Sequence, residues 1–485
     1  MAANSVHADY ERFANSWQRI RDVLAGEDAM KAAAERYVPR LDSQTDVEYL
    51  AYIKRGFFYN ATARTVAGFL GLIFRKDPEM KIPTGSTGLG AIFHSFQDDV
   101  DLLGTTLASY SRNVIQQVIT LGRVGTLIDW QDQEARAYLA FYTAENILNW
   151  RQTRLNGRLQ LSLIVLREWI SIPDEDSFGE HSVEQLRVLR LMPDGQGGQS
   201  CRVELWRQLP KDNDDKQLEW QILDTRLPMR HGKSLSLIPF VFHGPSNDQP
   251  QIERSPIEDI IHANIAHYRV TVDFQHGMHY TALPTAWVSG FPKETNLKIG
   301  AQAAWVTDTV GATAGYLEFR GEGLMTFERA LDRIERLLTV LGSRLLESQK
   351  RVSESAEALS IRQSSESSIL ANLAKSSSAS LTDVLRWFYW WHSTEDNPAS
   401  LSTNIIKIEL NTDYETALIT PKEIESLVTA WQAGALSRDS LHYQFRRGEL
   451  LPPGRTLDEE LALIQSNPPP APPAPTPSLS PLPSA

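Results

Sequence analysis

The sequence predicts an α+β fold spread over several domains, with long helices around a β-rich lobe. Three observations predict it. Apolar residues recur at three- and four-residue steps through most of residues 1–122. The period shortens to two through residues 123–250. Residues 327–345 then carry a strict seven-residue repeat. At 485 residues the chain exceeds one ordinary core, so about two to four units are expected.

Helices are expected at "YERFANSWQRIRDVLA" (10–25), "DVEYLAYIKRGFFYNATARTVAGFLGLIF" (46–74) and "VDLLGTTLASYSRNVIQQVITLG" (100–122). Thr45 and Asp46 cap the second, and Asp77-Pro78 ends that segment. After Gly122 short β-rich runs follow: "RVGTLIDW", "ARAYLAFY", "RLQLSLIVLREWI", "EQLRVLRLM", "SCRVELWRQL" and "LEWQIL". The turn clusters "LNGR", "DGQGGQ" and "KDNDD" divide them, which predicts an antiparallel unit. "LIPFVFHGP" (237–245) closes it as a buried strand.

Helix returns at 255–280, with Ser255-Pro256 as cap and first-turn proline. "TALPTAWVSGF", "AQAAWVTD" and "GYLEFRGEG" predict a short β segment. In the next helix Phe327, Leu331, Ile334, Leu338, Leu341 and Leu345 form a narrow packing seam that needs a partner helix. "RVSESAEALSIRQSSESS" (351–368) interrupts the helices with little to bury. A further long helix follows, small-faced at Ala371, Ala374, Ser377 and Ala379 and aromatic at "WFYWWH". "LSTNIIKIEL" predicts a strand, and "TPKEIESLVTAWQAGALSRDSLHYQFRRGELLP" two short helices broken at "GALSRD". Residues 467–485 hold nine prolines and no charge, so they are expected to be extended and mobile.

Lys and Arg total 48 against 60 Asp and Glu, a net charge of −12. That balance excludes a general stickiness toward nucleic acid. A single cysteine, Cys201, excludes an intramolecular disulfide framework and a cysteine zinc site. No apolar run reaches the length of a membrane span, and "AANSVHADYERFANSWQRI" lacks the apolar core of a secretory signal.

The search for chemistry is negative. There is no G-x-S-x-G elbow, and "PDGQGGQS" lacks the following Lys-Ser/Thr and helix of a phosphate loop. Asp98-Asp99 and Glu459-Glu460 read as solvated charge, "FRRGE" (445–449) as a solvated helix end, and "WFYWWH" as a helical turn buried from several sides. The most metal-like cluster is Asp273, His276 and His279, with His262 and His267 upstream. Its second step of three drifts around the helix, and Gly277 weakens the helix there, so histidines making ordinary hydrogen bonds are the better reading. No catalytic, cofactor-binding or metal residue is assigned.

The order of segments carries more information than any motif. Those at 37–78, 137–151 ("AYLAFYTAENILNWR"), 237–245, 262–290 ("HANIAHYRVTVDFQHGMHYTALPTAWVSG") and 315–323 ("GYLEFRGEG") resemble the portal protein, or head–tail connector, of tailed bacteriophages. More narrowly, they resemble a phage family long catalogued as of unknown function and treated as portals. The resemblance implies a wing at 1–250 (1–122 mainly helical, 123–250 β-rich), stem helices at 255–280 and 323–350, and a clip at 281–322. It further implies a tunnel loop at 351–366, a channel helix at 367–395, and a crown at 400–466. Such proteins are rings of about twelve copies with closed cyclic symmetry. The implied partners are further copies of the chain, double-stranded DNA in transit, the terminase motor, major capsid and scaffold proteins, and a head–tail adaptor. The implied place is the portal vertex of a virion assembled in the host cytoplasm, with no membrane and no cofactor.

In such a ring the loop would line the bore. Arg351, Ser353, Glu354, Glu357, Arg362, Ser364 and Glu366 are polar and near charge balance, which suits a wall along which DNA slides without gripping. Two rival readings stay open: a non-ring virion scaffold or adaptor using the β-rich lobe and proline tail, and a metal-dependent hydrolase built on Asp273, His276 and His279.

Overall fold

The computed structural model describes residues 3–292 apart from 84–87, 156, 175–177, 196–197, 212–213 and 283–284. It also describes 305–317, 323–344, 369–395, 398, 406–412, 414, 420–448, 450–452, 455 and 457–467. The chain forms two compact units, Met1–Thr412 and Asp413–Ala485.

The first unit opens with α1 (Ala8–Ala25) and α2 (Glu27–Ala33). His7 caps α1, its Nδ1 accepting from the Asp9 amide at 3.1 Å. The single helix expected over 46–74 is two: α3 (Asp46–Arg55) and α4 (Ala61–Ile73). Thr45 and Glu48 form a capping box at α3. The chain turns after Arg55 because Gly56 lies against the later helix 258–282. A Cβ at Gly56 would stand 2.4 Å from Val272 Cγ2. Asn60 then restarts the helix by accepting from the Ala63 amide at 3.0 Å.

Strand β1 (Glu79–Lys81) is followed by α5 (Leu89–Asp98), which the sequence reading missed, and α6 (Leu107–Leu121). The helix expected from residue 100 starts at 107 instead. Asp101 Oδ1 accepts from the amides of Leu103 (3.0 Å) and Thr105 (3.2 Å), closing a turn that competes with helix, and Thr106 becomes the cap. Gly122 ends α6 in the left-handed region (φ 73°). A Cβ there would lie 2.4 Å from the Glu253 carbonyl oxygen, so only glycine fits the switch from helix to strand.

The β-rich part holds two antiparallel sheets. Strands β2 (Val124–Gln131) and β3 (Arg136–Thr143) pair in the first. Strands β4 (Ile147–Leu155), β5 (Arg158–Pro173), β6 (Glu180–Pro193), β7 (Gln199–Lys211) and β8 (Asp214–Arg226) form a five-stranded meander in chain order. The predicted turn clusters fall between these strands, whereas β4 was not foreseen. A short pair, β9 (Met229–Arg230) and β10 (Lys233–Ser234), leads to β11 (Phe240–His243), which is buried throughout and pairs with β2.

Next come α7 (Glu258–Ala282), β12 (Thr285–Ser289), β13 (Thr313–Leu317) and α8 (Leu324–Arg344). Helix α7 begins three residues after the predicted cap, and Ser255 Oγ accepts from the Ile257 amide at 3.3 Å. Of "AQAAWVTD", residues 305–308 are irregular rather than a strand, and the rest lies outside the described residues. Helix α9 (Ile369–His392) and β14 (Lys407–Glu409), which pairs with β1, complete the unit.

Helix α9 is the buried axle of this unit. Phe388 stacks on Phe96 with centroids 3.7 Å apart, and Trp391 Nε1 donates to the Ile128 carbonyl at 3.1 Å. Its small face is enclosed by its own chain: Ala371, Ala374 and Ser377 are buried, while Ala379 is exposed. Small residues here let α9 approach β11, where Ser380 Oγ meets His243 Nδ1 at 2.7 Å.

One core residue is unexpected. Arg123 is 1% exposed, its three guanidinium nitrogens have no hydrogen-bond partner, and it lies 3.9 Å from the Trp150 ring centroid and 4.6 Å from that of Phe242. Burial pushes its pKa down to about 9. Two ring contacts return about 2 kcal/mol each, set against the cost of burying an unpaired cation. Arg123→Met, which keeps the apolar stem, is expected to stabilise the unit by about 1 kcal/mol, read as a higher denaturation midpoint at pH 7. A lower midpoint would show that the rings outweigh the desolvation.

The second unit contains α10 (Pro421–Gln432), α11 (Arg438–Arg447) and α12 (Leu457–Ser466). Thr420 and Glu423 make the capping box that starts α10, with Pro421 in its first turn. Helix α12 was not foreseen. The proline tail from 468 onward lies outside the described residues.

Candidate functional site

Helices α7 and α8 form an antiparallel hairpin that leaves the body of the first unit. The root of α7 is buried through Ile257, Ile260, Ile261, Ile265, Tyr268 and Val272. Asn264, fully buried, ties it to α4. Its Oδ1 accepts from the Thr62 amide (3.0 Å) and hydroxyl (2.8 Å), and its Nδ2 donates to the Tyr59 carbonyl (2.8 Å). From Asp273 onward α7 is only half-buried, and Tyr280 is exposed.

Three contacts set the register of α8 on α7. His267 Nε2 lies 3.2 Å from Glu335 Oε1, the rings of Phe274 and Phe327 are 6.4 Å apart, and a Cβ on Gly277 would stand 3.1 Å from Leu324 Cδ2. The heptad positions Phe327, Leu331, Ile334 and Leu341 are half-buried and Leu338 is buried. Leu345 lies outside the described residues, as do the loop residues Arg351, Ser353, Glu354, Glu357, Arg362, Ser364 and Glu366.

At the far end β12 and β13 pair antiparallel, with Trp287 opposite Gly315. Burial is poor here: Trp287, Tyr316, Leu317 and Val310 are all exposed. On α8 the outward Met325 (57%), Leu337 (47%) and Val340 (44%) are also exposed. Among the described residues apolar side chains thus face solvent on α8 and at the β12–β13 tip, the pattern of a surface that associates.

The metal-like cluster is occupied otherwise. Asp273 accepts a hydrogen bond from the Tyr52 hydroxyl, and His279 Nε2 accepts from Arg55 Nη2 at 3.1 Å. His276 packs edge-on against Tyr52 (4.9 Å) and Tyr280 (4.8 Å). Burial, then the Arg55 and His279 charges, lowers its pKa. A guanidinium thus engages one of the two ring nitrogens of His279. Of the upstream histidines, His262 accepts from Arg19 Nη1 at 2.6 Å and His267 contacts Glu335. Among the described residues no group of three or more His, Cys, Asp or Glu is placed to hold a metal ion.

A depression of about 590 Å³ beside α1 is lined by eight residues, among them Arg19, Arg36, Arg269 and His262. Arg36 pairs with Asp22 at 2.7 Å and Arg269 Nε donates to the Tyr37 carbonyl at 2.5 Å. Its lining contains no serine, cysteine or carboxylate, and its two acid–base side chains are already engaged, His262 by Arg19 and the Tyr37 hydroxyl by Asp22.

Residues 256–392, which span α7 to α9, match a family model described as a domain of unknown function (DUF4055). No curated protein sequence matches the chain. Solved structures with similar chains include the virion of a native gene transfer agent particle, at 12% identity and a TM-score of 0.39 over 87% of this chain and 99% of that one. A chain in the neck of the empty particle, computed with C6 symmetry, gives 12% identity and a TM-score of 0.41 over 87% and 98%. One in the neck of the native particle, computed with C12 symmetry, gives 11% and 0.35 over 87% and 99%.

Proposed function

We propose that the chain is a portal subunit of a tailed phage or phage-like particle. In this reading it closes with further copies into a ring of about twelve, through which double-stranded DNA is packaged and ejected. The observation that carries the reading is the hairpin: two long antiparallel helices rooted in a large body, tipped by a β pair, with apolar side chains exposed on α8 and at the tip. Such a rod satisfies itself only beside other rods, and a head-to-tail contact repeated around an axis closes a ring. The order of segments in the sequence supports the same reading.

The parts take the following roles. The body is the wing, α7 and α8 are the stem, and the β12–β13 tip is the clip on which the terminase docks. Residues 351–366 line the bore, α9 is the channel helix, and 400–466 form the crown. Capsid, scaffold and head–tail adaptor proteins bind the outside of the ring, at the portal vertex of the virion. The subunit performs no catalysis, and ATP hydrolysis belongs to the terminase. A net charge of −12 suits a conduit, since every paired phosphate adds grip.

Native mass spectrometry and negative-stain imaging of the purified chain test this. Closed rings with a central hole are expected. Monomers at all concentrations and salt levels would overturn it.

A further inference from the structure

The outward face of α8 carries its charges sorted by sign. Glu328, Asp332 and Glu335 step by four and three along one line; Arg329, Arg333 and Arg336 step by four and three along the next. At 3.6 residues per turn the two lines lie roughly 100° apart around the helix. All six residues are exposed. Among the described residues, Glu335 alone of the six has an ion-pair partner, His267 at 3.2 Å. Spacing offers Asp332 two partners on its own helix, Arg329 and Arg336, and it engages neither.

This sorting is costly for a helix alone. Glu328 with Asp332, and Arg329 with Arg333, are like charges at i,i+4, each pair unfavourable by about 0.2–0.5 kcal/mol. Interspersed signs would have favoured the isolated helix. Two parallel lines of three opposite charges are instead complementary between identical copies placed side by side, because each copy offers its acidic line to one neighbour and its basic line to the other. That is a heterologous contact, the kind that closes into a ring.

We propose that the acidic line of one α8 pairs with the basic line of the α8 in the adjacent copy, forming a charge ladder that sets the register between neighbouring hairpins. The proposal rests on the ring reading and names the surface that makes the ring. The exposed Leu337 and Val340 lie beside the ladder and supply the apolar part of the contact.

The test uses the full chain in four forms: wild type, E328R/D332R, R329E/R333E, and the fourfold exchange carrying both pairs. Wild type is expected to form rings. Each two-residue reversal gives five of the six charges one sign and is expected to abolish rings. The fourfold exchange restores them. An equal mixture of the two reversed proteins is also expected to form rings, with the subunit types alternating and present in equal numbers by native mass spectrometry. Recovery on mixing separates lost pairing from lost folding. Intact rings in either two-residue variant would overturn the ladder and leave the ring reading standing. Failure of the mixture and of the fourfold exchange to assemble would overturn it too, since the lines would then pair elsewhere. A wild type that stays monomeric would overturn the ring reading itself.

Discussion

Asn264→Leu is expected to lower the unfolding free energy of the first unit by roughly 2–6 kcal/mol, because two buried groups, the Thr62 amide and hydroxyl, lose their partner at about 1–3 kcal/mol each. The side chain is fully buried between α7 and α4. Its Oδ1 satisfies the Thr62 amide, a first-turn donor of α4 that the Asn60 cap does not reach, and the Thr62 hydroxyl. Its Nδ2 donates to the Tyr59 carbonyl, which also accepts from the Ala61 amide and so keeps a partner in the variant. Leucine has a similar volume, so the loss is polar rather than a cavity. Because the bonds hold the root of the hairpin, assembly should weaken along with stability. Denaturant titration of the variant decides the point: a midpoint equal to wild type would mean that the clamp contributes nothing.

The second large effect is acid lability through His243. This ring is fully buried, with Nε2 2.8 Å from Thr126 Oγ1 and Nδ1 2.7 Å from Ser380 Oγ. Tyr110 extends the chain of hydroxyls at 2.7 Å from Thr126 Oγ1, so the network joins α6, β2, β11 and α9. Burial lowers the pKa of His243 from 6.5 to about 3. Between those values the unfolded chain binds a proton that the folded one refuses. Stability from this group is therefore complete above about pH 6.5 and is lost as the pH falls toward 3, by roughly 1.4 kcal/mol per unit. His392, lowered to about 4 by burial and then by the Arg136 charge, adds loss of the same sign. His243→Gln is expected to be less stable than wild type at pH 7, yet to lose roughly 2–3 kcal/mol less on going from pH 7 to 4.5. Equal losses in the two proteins would remove His243 as the source.

The seam on α8 and the edges of most strands were legible in the sequence because each is a local pattern. Phe327, Leu331, Ile334, Leu338 and Leu341 follow a period that one helix can display alone, and the clusters "DGQGGQ" and "KDNDD" are turn chemistry independent of what lies nearby. The break at Gly56 was illegible, since its cause is Val272, more than two hundred residues away. Local capping chemistry overrode the apparent start of α6, where Asp101 and Thr106 compete with a helix-like apolar spacing. Strand β4 was hidden by an irregular pairing with β5, whose register shifts twice.

The candidate site divides in the same way. The metal-like spacing of Asp273, His276 and His279 is real in sequence, but Tyr52 and Arg55, from a different helix, claim two of its members. The sorted charges of α8 were present in the sequence as well, at steps of four and three, and helical spacing alone could have found them. What spacing could not supply is that five of the six have no ion pair among the described residues, a fact about neighbours.

By itself the sequence determined the acidic balance, the single cysteine, the switch from helical to strand period at Gly122, and the heptad on α8, because composition and periodicity belong to residues close together in the chain. Tertiary structure alone decided where helices break, that the small and aromatic faces of α9 are buried within their own chain, and that the α7–α8 hairpin carries its unpaired charge into solvent. Those outcomes depend on which distant side chains compete for the same space and the same hydrogen bonds, and no local pattern records that competition.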